Sequence, residues 1–211
     1  MNTYIESTNL EVTATMRDIE KLCDEAKQYH FSTVTVLPYY TALASSLLKE
    51  STVQVETVVG YPLGLQTTAV KSYEAIDAVQ NGASEIGMMI NTAAIKNGDY
   101  DFVQEEIEEI RDSIDGKVMK VIINPSYLTE EEILKVIRIC NEAFVHYIEI
   151  NVGTSDLENV VPLFLEHKSE VLEIKINSSE MKEEELWDLI EKGISRIGLT
   201  NAGFIMKGEN K

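Results

Sequence analysis

Several features that would point to other classes of protein are scarce in this sequence. Its two cysteines, Cys23 and Cys140, lie far apart and form no CxxC or Cys/His spacing, so neither a disulfide framework nor a zinc site is expected. Lysine and arginine number 18 against 36 aspartates and glutamates, and the net charge is −18. This balance argues against nucleic acid and anionic membranes as partners, because binding to phosphates needs a basic surface.

Long apolar runs and targeting signals are missing as well. No apolar run approaches the roughly 20 residues needed to cross a bilayer. The opening stretch, MNTYIESTNLEV, has neither the basic nor the apolar region of a signal peptide, which predicts a cytoplasmic protein. His30, His146 and His167 lie at helix ends or before a strand rather than at ligand spacing. We therefore expect surface histidines, no metal and no cofactor.

What the sequence does contain is an alternation of short β-rich runs with longer amphipathic segments, whose apolar residues recur at spacings of three and four. Strands are predicted at residues 4–6, 33–37, 53–59, 85–90, 118–123, 147–152, 171–176 and 196–199. Eight such units in one domain spanning residues 1–211 favour a (β/α)8 TIM barrel. An open doubly wound sheet is the alternative, although no GxGxxG follows the first strand.

Helix ends carry their own signals. Thr129 with Glu132, and Ser155 with Glu158, match the capping-box spacing at a helix start. Gly82 and Gly193 are placed to end two helices.

Polar residues interrupt several of the predicted strands. In VHYIEINVG, residues 145–153, Glu149 shares a face with Tyr147 and Asn151, opposite Ile148 and Ile150. The full set is Glu56, Lys120, Asn124, Glu149, Asn151, Glu173, Lys175, Asn177 and Thr200. Any one of them can have a purely structural role, either as a hydrogen-bonded polar group in the core or as an outward-facing residue covered by a helix. This structural interpretation is strongest for Glu56 and Glu173, which lie near strand starts. Several polar residues near strand ends point to a site, because functional residues of a barrel lie there.

Four stretches resemble the deoxyribose-phosphate aldolase family: IEKLCDEAKQYHFSTVTVLPYY, VVGYPLGLQTTAVKSYEAIDAVQNGASEIGMMINTAAIKNGDY, KVIINPSYLTEEE and LIEKGISRIGLTNAG. The resemblance runs in order over nearly the whole chain. It implies a TIM barrel, in agreement with the alternation, and a role in deoxyribonucleotide catabolism.

The resemblance also implies a class I aldolase site. In that family a sixth-strand lysine forms a Schiff base with an aldehyde, and a seventh-strand lysine lowers its pKa. A fourth-strand aspartate transfers protons, with a fifth-strand lysine nearby. This sequence keeps the seventh- and fifth-strand lysines as Lys175 and Lys120. The nucleophile's position holds Glu149, the proton-relay position holds Gly87, and the first-strand aspartate becomes Glu6.

These replacements change the expected chemistry. A carboxylate forms no imine, and a lysine attacks only as the neutral amine. An opposite charge within about 4–6 Å favours the charged form of both groups. We therefore expect Glu149 to face into the barrel and to form a salt bridge that keeps Lys175 an ammonium.

A phosphate site in the turns after strands seven and eight is implied too. Serines replace the family's paired glycines after strand seven, and the ligand-binding candidates are Gly153, Ser178, Ser179, Gly198, Thr200 and Asn201. For Ser178 or Ser179 the alternative is a structural one, capping the helix that begins near Lys182.

Three functions follow from these residues. The first is an aldolase-like protein that has lost Schiff-base activity and binds a small phosphorylated sugar or aldehyde. The second is an active aldolase that produces acetaldehyde and glyceraldehyde 3-phosphate through Lys175 or Lys120. The third is a different acid–base enzyme that uses Glu149. A purely structural role in a homo-oligomer is the fourth alternative, and association into a homo-oligomer is compatible with the other three.

Overall fold

The computed structural model describes residues 2–151, 157–179, 181–200 and 202–206. Eight strands form one closed barrel in chain order, each parallel to its neighbours, with β8 pairing back to β1. They are β1 Ile5–Asn9, β2 Thr33–Val36, β3 Gln54–Val59, β4 Glu85–Met89, β5 Val118–Ile123, β6 Tyr147–Asn151, β7 Glu173–Ser178 and β8 Arg196–Leu199. The (β/α)8 barrel is thus confirmed, and the open sheet was the wrong alternative.

Two predicted strands are displaced along the chain. The first was predicted at 4–6 but extends to Asn9, and the seventh was predicted at 171–176 but runs to Ser178. In both cases the missed residues are polar, which breaks the apolar pattern expected of a buried strand. Two of them, Thr8 and Asn177, face the barrel interior and line its polar mouth.

Helices surround the barrel in the described residues. They are α1 Met16–Tyr29, α2 Thr41–Leu48, α3 Thr68–Gln80, α4 Thr92–Lys96, α5 Tyr100–Ser113, α6 Glu130–Glu142, α7 Leu157–His167, α8 Glu183–Glu191 and α9 Ala202–Met206. None of the described helices is both long and apolar enough to cross a membrane.

The main hydrophobic core lies between the strands and the helices. Outward-facing strand residues such as Ile148, Ile150 and Ile174 are fully buried in it, together with apolar residues of the helices such as Ile107 and Ile137. Because successive residues of a strand point to opposite sides, the intervening residues of each strand face the barrel interior. By this alternation the side chains of Glu149 and Lys175 point into the barrel interior, and both residues are fully buried.

The predicted helix ends are mostly confirmed. Thr129 and Glu132 form the capping box of α6, and Gly82 and Gly193, with φ of 97° and 105°, follow the ends of α3 and α8. A positive φ suits glycine because it lacks a Cβ. The other predicted capping box includes Ser155, which is outside the described residues.

Candidate functional site

Glu149 and Lys175 meet inside the barrel. They are register partners on the adjacent strands β6 and β7, so their side chains project to the same side. Oε2 of Glu149 lies 2.8 Å from Nζ of Lys175, and the two side chains are at most 1% exposed. The inward direction of Glu149 and its predicted contact with Lys175 are both confirmed.

Lys175 is surrounded by carboxyl groups on more than one side. Besides Glu149, its Nζ lies 2.5 Å from Oε2 of Glu6 and 2.7 Å from Oε2 of Glu56. Burial by itself would lower the pKa of Lys175, but Glu149, Glu56 and Glu6 outweigh burial, so the pKa lies well above its ordinary value. The side chain is therefore held as an ammonium ion.

Lys120 is a second buried cation beside Lys175. The two lysines share Glu6 and Glu56 and so belong to one network of charged side chains. Its Nζ lies 2.6 Å from Glu85, 2.8 Å from Glu6 and 2.9 Å from Glu56. Carboxylate oxygens of these three glutamates lie within 4.8 Å of one another, a spacing that suits a metal ion. The Lys120 ammonium already occupies the position among them. Burial opposes ionisation of Lys120, yet Glu56 and Glu6 raise its pKa above the ordinary value.

Glu56 is the residue whose importance was underestimated from the sequence. A structural role near the start of its strand was the favoured interpretation, but the side chain lies fully buried at the centre of the network. Its Oε2 accepts hydrogen bonds from Thr35 at 2.8 Å, Lys120 at 2.9 Å and Lys175 at 2.7 Å. Burial opposes ionisation, but the two ammonium groups hold its pKa well below the ordinary range. Glu173, by contrast, is partly exposed and accepts from Ser195.

Gly87, at the proton-relay position on β4, lies directly against Glu56. A Cβ added at residue 87 would come within 2.6 Å of Oε1 of Glu56 and 3.1 Å of Cδ1 of Ile122. The space that a side chain on β4 would fill is therefore taken by a carboxylate from β3. Glu56 thus places a carboxylate beside the position where the resemblance predicts an aspartate.

Glu85 and Arg196 complete the network and were absent from the predicted set. Arg196 Nη1 lies 2.9 Å from Glu6 and 3.3 Å from Glu85. Glu85 lies two residues before Gly87 and thus on the same face of β4. That spacing was the available signal for it in the sequence.

Glu149 differs from the other network carboxyls in its surroundings. Burial raises its pKa to about 8, and the negative charge of Glu56 adds to the effect, while Lys175 opposes it. Its Oε1 accepts a hydrogen bond from Nδ2 of Asn177, which also donates to Oδ1 of Asn151 at 2.9 Å. These two asparagines separate the charged interior from the barrel mouth.

The mouth itself is a cavity of about 430 Å³ at the C-terminal ends of the strands. One side is apolar, where Leu10 and Tyr61 pack on a small cluster of Val58, Met89 and Ile122. The other side is polar, and the cavity's described lining is Thr8, Leu10, Glu11, Tyr61, Asn124, Ser126, Asn151, Asn177, Ser178, Ser179, Gly198 and Thr200. Such a mixture of hydroxyl, amide and apolar groups suits a small polar ligand.

Four of the predicted ligand-binding residues line this cavity, namely Ser178, Ser179, Gly198 and Thr200. Thr200 also donates to the Ser179 carbonyl at 2.6 Å. Neither serine caps α8, because its N-cap is Lys182; that structural alternative was wrong. Gly153 and Asn201 lie outside the described residues. His30, His146 and His167 are exposed, as expected.

Comparison with known proteins agrees with this fold. A family model described as DeoC/LacD family aldolase matches residues 4–146. A deoxyribose-phosphate aldolase of Carboxydothermus hydrogenoformans is 41% identical over 97% of this chain and 92% of its own. One of Finegoldia magna is 38% identical over 99% of both chains. The solved structure of QR15, an aldolase, superposes with a TM-score of 0.91 at 34% identity, covering 98% of this chain and 94% of that one. The chain belongs to the DeoC/LacD family of aldolases.

Proposed function

We propose that this family member has lost Schiff-base aldolase activity and keeps the barrel mouth as a binding site for a small phosphorylated sugar or aldehyde. The observation that carries the proposal is the state of Lys175, the lysine closest to the position of the missing nucleophile. Three carboxyl groups lie within 2.8 Å of its amine. Imine formation needs the neutral amine.

The fraction of Lys175 in the neutral form can be bounded. A lysine with an ordinary pKa of about 10.4 is neutral in roughly one molecule in a few thousand at neutral pH. The raised pKa of Lys175 makes that fraction smaller still, and Lys120 is raised in the same direction. An active class I site needs the opposite shift. Glu149 supplies no nucleophile in place of these amines.

The ligand class rests on the cavity and on the relatives. The curated relatives are named for deoxyribose phosphate. The mouth is lined by the hydroxyl groups of Ser178 and Ser179 and the side-chain amides of Asn124 and Asn151, which can donate hydrogen bonds to phosphate or sugar oxygens. We therefore place deoxyribose 5-phosphate and glyceraldehyde 3-phosphate first among the ligands to be tested.

Trapping with borohydride tests the loss of activity. The protein is incubated with acetaldehyde and borohydride, digested and analysed by mass spectrometry, with an active deoxyribose-phosphate aldolase treated in parallel. We expect a reduced adduct on the active enzyme and none here. An adduct on Lys175 or Lys120, absent from the matching Lys→Met variant, would instead establish the second candidate, an active aldolase with a relocated nucleophile.

Thermal-shift titration with the two phosphorylated compounds tests ligand binding. We expect stabilisation of the wild type and a weaker effect in Asn151→Ala, which changes the floor of the mouth, whereas Glu173→Gln should respond like the wild type. If neither compound stabilises the protein, the ligand part of the proposal is wrong.

One observation favours the third candidate, an acid–base enzyme. A carboxyl group with a pKa of about 8 can donate a proton near neutral pH. Glu149 is fully buried beneath Asn177, however, and is absent from the described cavity lining. Solvent deuterium incorporation next to the carbonyl of a bound sugar, lost in Glu149→Gln, would support it. A homo-oligomer and a cytoplasmic location stay predictions.

A further inference from the structure

The charged groups inside the barrel do not balance if all of them are ionised. The network of described residues contains four carboxyl groups and three cations, linked by contacts of at most 3.3 Å. The carboxyl groups belong to Glu6, Glu56, Glu85 and Glu149, and the cations to Lys120, Lys175 and Arg196. All seven ionised together would leave one uncompensated negative charge in a region shielded from water, which is costly.

Two of the carboxyl groups are in contact with each other. Both lie against the same ammonium, since Nζ of Lys175 is 2.7 Å from Oε2 of Glu56 and 2.8 Å from Oε2 of Glu149, and the two side chains lie within hydrogen-bonding reach of each other. A carboxylate only accepts hydrogen bonds, so two carboxyl groups can share one only if a proton lies between them. Among the described residues, Oε1 of Glu56 accepts no hydrogen bond, while Oε2 of Glu149 has the Lys175 ammonium 2.8 Å away.

The surroundings decide which carboxyl group holds the proton. Glu56 accepts hydrogen bonds from Thr35 and from the two ammonium groups, all of which stabilise its anion. Glu149 accepts a hydrogen bond from the neutral amide of Asn177. Its one cationic contact among the described residues, Lys175 at 2.8 Å, is shared with Glu6 at 2.5 Å and Glu56 at 2.7 Å, whereas Glu56 contacts two ammonium groups. The proton therefore belongs on Glu149.

We propose that the barrel interior is a proton-binding site, in which Glu149 is a neutral carboxylic acid that donates its hydrogen bond to the Glu56 carboxylate. With this proton the seven groups are electrically neutral. The charged or titratable groups that face Glu149 are Glu56, Lys175, Lys120 and, from the mouth, Tyr61. The direction of the pKa of Glu149 agrees with this geometry.

The proton site is connected to the mouth. Asn177 donates to Glu149 and also lines the cavity. When Glu149 loses its proton to solvent, the interior gains a negative charge, and the hydrogen bond from Asn177 becomes charge-assisted and stronger. We therefore expect the position of Asn177, and with it the binding of ligand, to respond to pH. The inference does not depend on the loss of aldolase activity, since Glu149 cannot form an imine in either protonation state.

Infrared spectroscopy detects the proton directly. The carbonyl stretch of a carboxylic acid differs from that of a carboxylate, and carbon-13 glutamate shifts the band if it arises from glutamate. At about pH 6 we expect a label-sensitive acid band that disappears as the pH passes about 8. The band should be lost in Glu149→Gln and kept in Glu106→Gln, since Glu106 is another buried glutamate whose pKa is raised.

Urea unfolding gives a second readout. The folded protein holds the proton up to about pH 8, whereas an unfolded glutamate releases it near pH 4.3, so stability falls as the pH rises between these values. The unfolding constant of the wild type, relative to Glu149→Gln, should therefore rise by up to about tenfold per pH unit from about pH 5 to pH 8 and then level off. Glu173→Gln, the same change at a partly exposed site on β7, should not produce this trend.

Several outcomes would overturn the proposal. They are a wild-type protein with no glutamic-acid band at about pH 6, a band that persists in Glu149→Gln, and a stability ratio that is independent of pH. If Glu149→Gln does not fold, Glu106→Gln still tests the proposal, because a band that disappears in that variant would belong to Glu106 and would overturn it. Failure here would leave the borohydride result unaffected, so the two proposals can be separated.

Discussion

Adding a side chain at Gly87 should destabilise the protein, because Glu56 already fills the space beside it. The new Cβ would lie 2.6 Å from Oε1 of Glu56, well inside ordinary van der Waals contact. Glu56 cannot turn away freely, since Thr35, Lys120 and Lys175 all hold its other oxygen at 2.7–2.9 Å. Overpacking of this kind costs about 1–3 kcal/mol. Replacing glycine by alanine also restricts the unfolded chain, which stabilises the folded state by about 0.4–1 kcal/mol. We therefore expect Gly87→Ala to lower the free energy of unfolding by about 1–2 kcal/mol.

A double-mutant cycle sharpens the argument. Glu56→Ala removes a shared carboxylate from two buried ammonium groups and should cost about 3–5 kcal/mol. Gly87→Asp alone adds both bulk and a second negative charge. In the double variant the aspartate enters the space that Glu56 vacated and restores an anion there. Its loss of stability should be smaller than the sum of the single losses by about 1–3 kcal/mol.

Urea denaturation followed by the fluorescence of Trp187 measures these changes, since it is the one tryptophan in the sequence and packs against the core. The pair Gly87→Ala and Glu173→Ala is the control, and its effects should add, because Glu173 contacts Ser195 and Lys168 instead. If Gly87→Asp and Glu56→Ala also add within about 0.5 kcal/mol, the two positions do not share one space and the reasoning is refuted.

Three further predictions concern other parts of the molecule. Lys71→Met leaves the buried carboxyl group of Glu106, which lies 2.8 Å from Nζ of Lys71, without its charged partner. The free energy of unfolding in urea should fall by about 3–5 kcal/mol. A fall below about 1 kcal/mol would contradict this. Thr129→Ala removes the N-cap of α6 and should lower the free energy of unfolding by about 1 kcal/mol. Thr52→Ala, the same change at an exposed threonine outside the helices, is the control. Because the pKa of Glu56 is depressed, its stabilisation is present above about pH 4.3 and is lost as the pH falls further. Acid titration of the wild type should show this loss, and Glu56→Gln should not.

The carboxylate of Glu56, which lies beside Gly87, matters for assigning function from sequence. Position by position, the family's acid on β4 is missing at Gly87, which suggests that an anion has been lost from the interior. In three dimensions, Glu56 returns an anion to the same space from the neighbouring strand. Both interior lysines are held by carboxyl groups, and for this reason we propose that neither of them replaces the nucleophile.

The sequence by itself determined the barrel, the inward direction of Glu149 and its pairing with Lys175. These follow from local rules: strand residues alternate between two faces, and register partners on adjacent strands project to the same side. The sequence could not show that Glu56 reaches across to Gly87, or that four glutamates converge on two lysines. Those contacts join residues far apart in the sequence, such as Glu6 with Lys175 and Glu56 with Lys175. Only closure of the barrel brings them together, and burial there then decides which groups are charged.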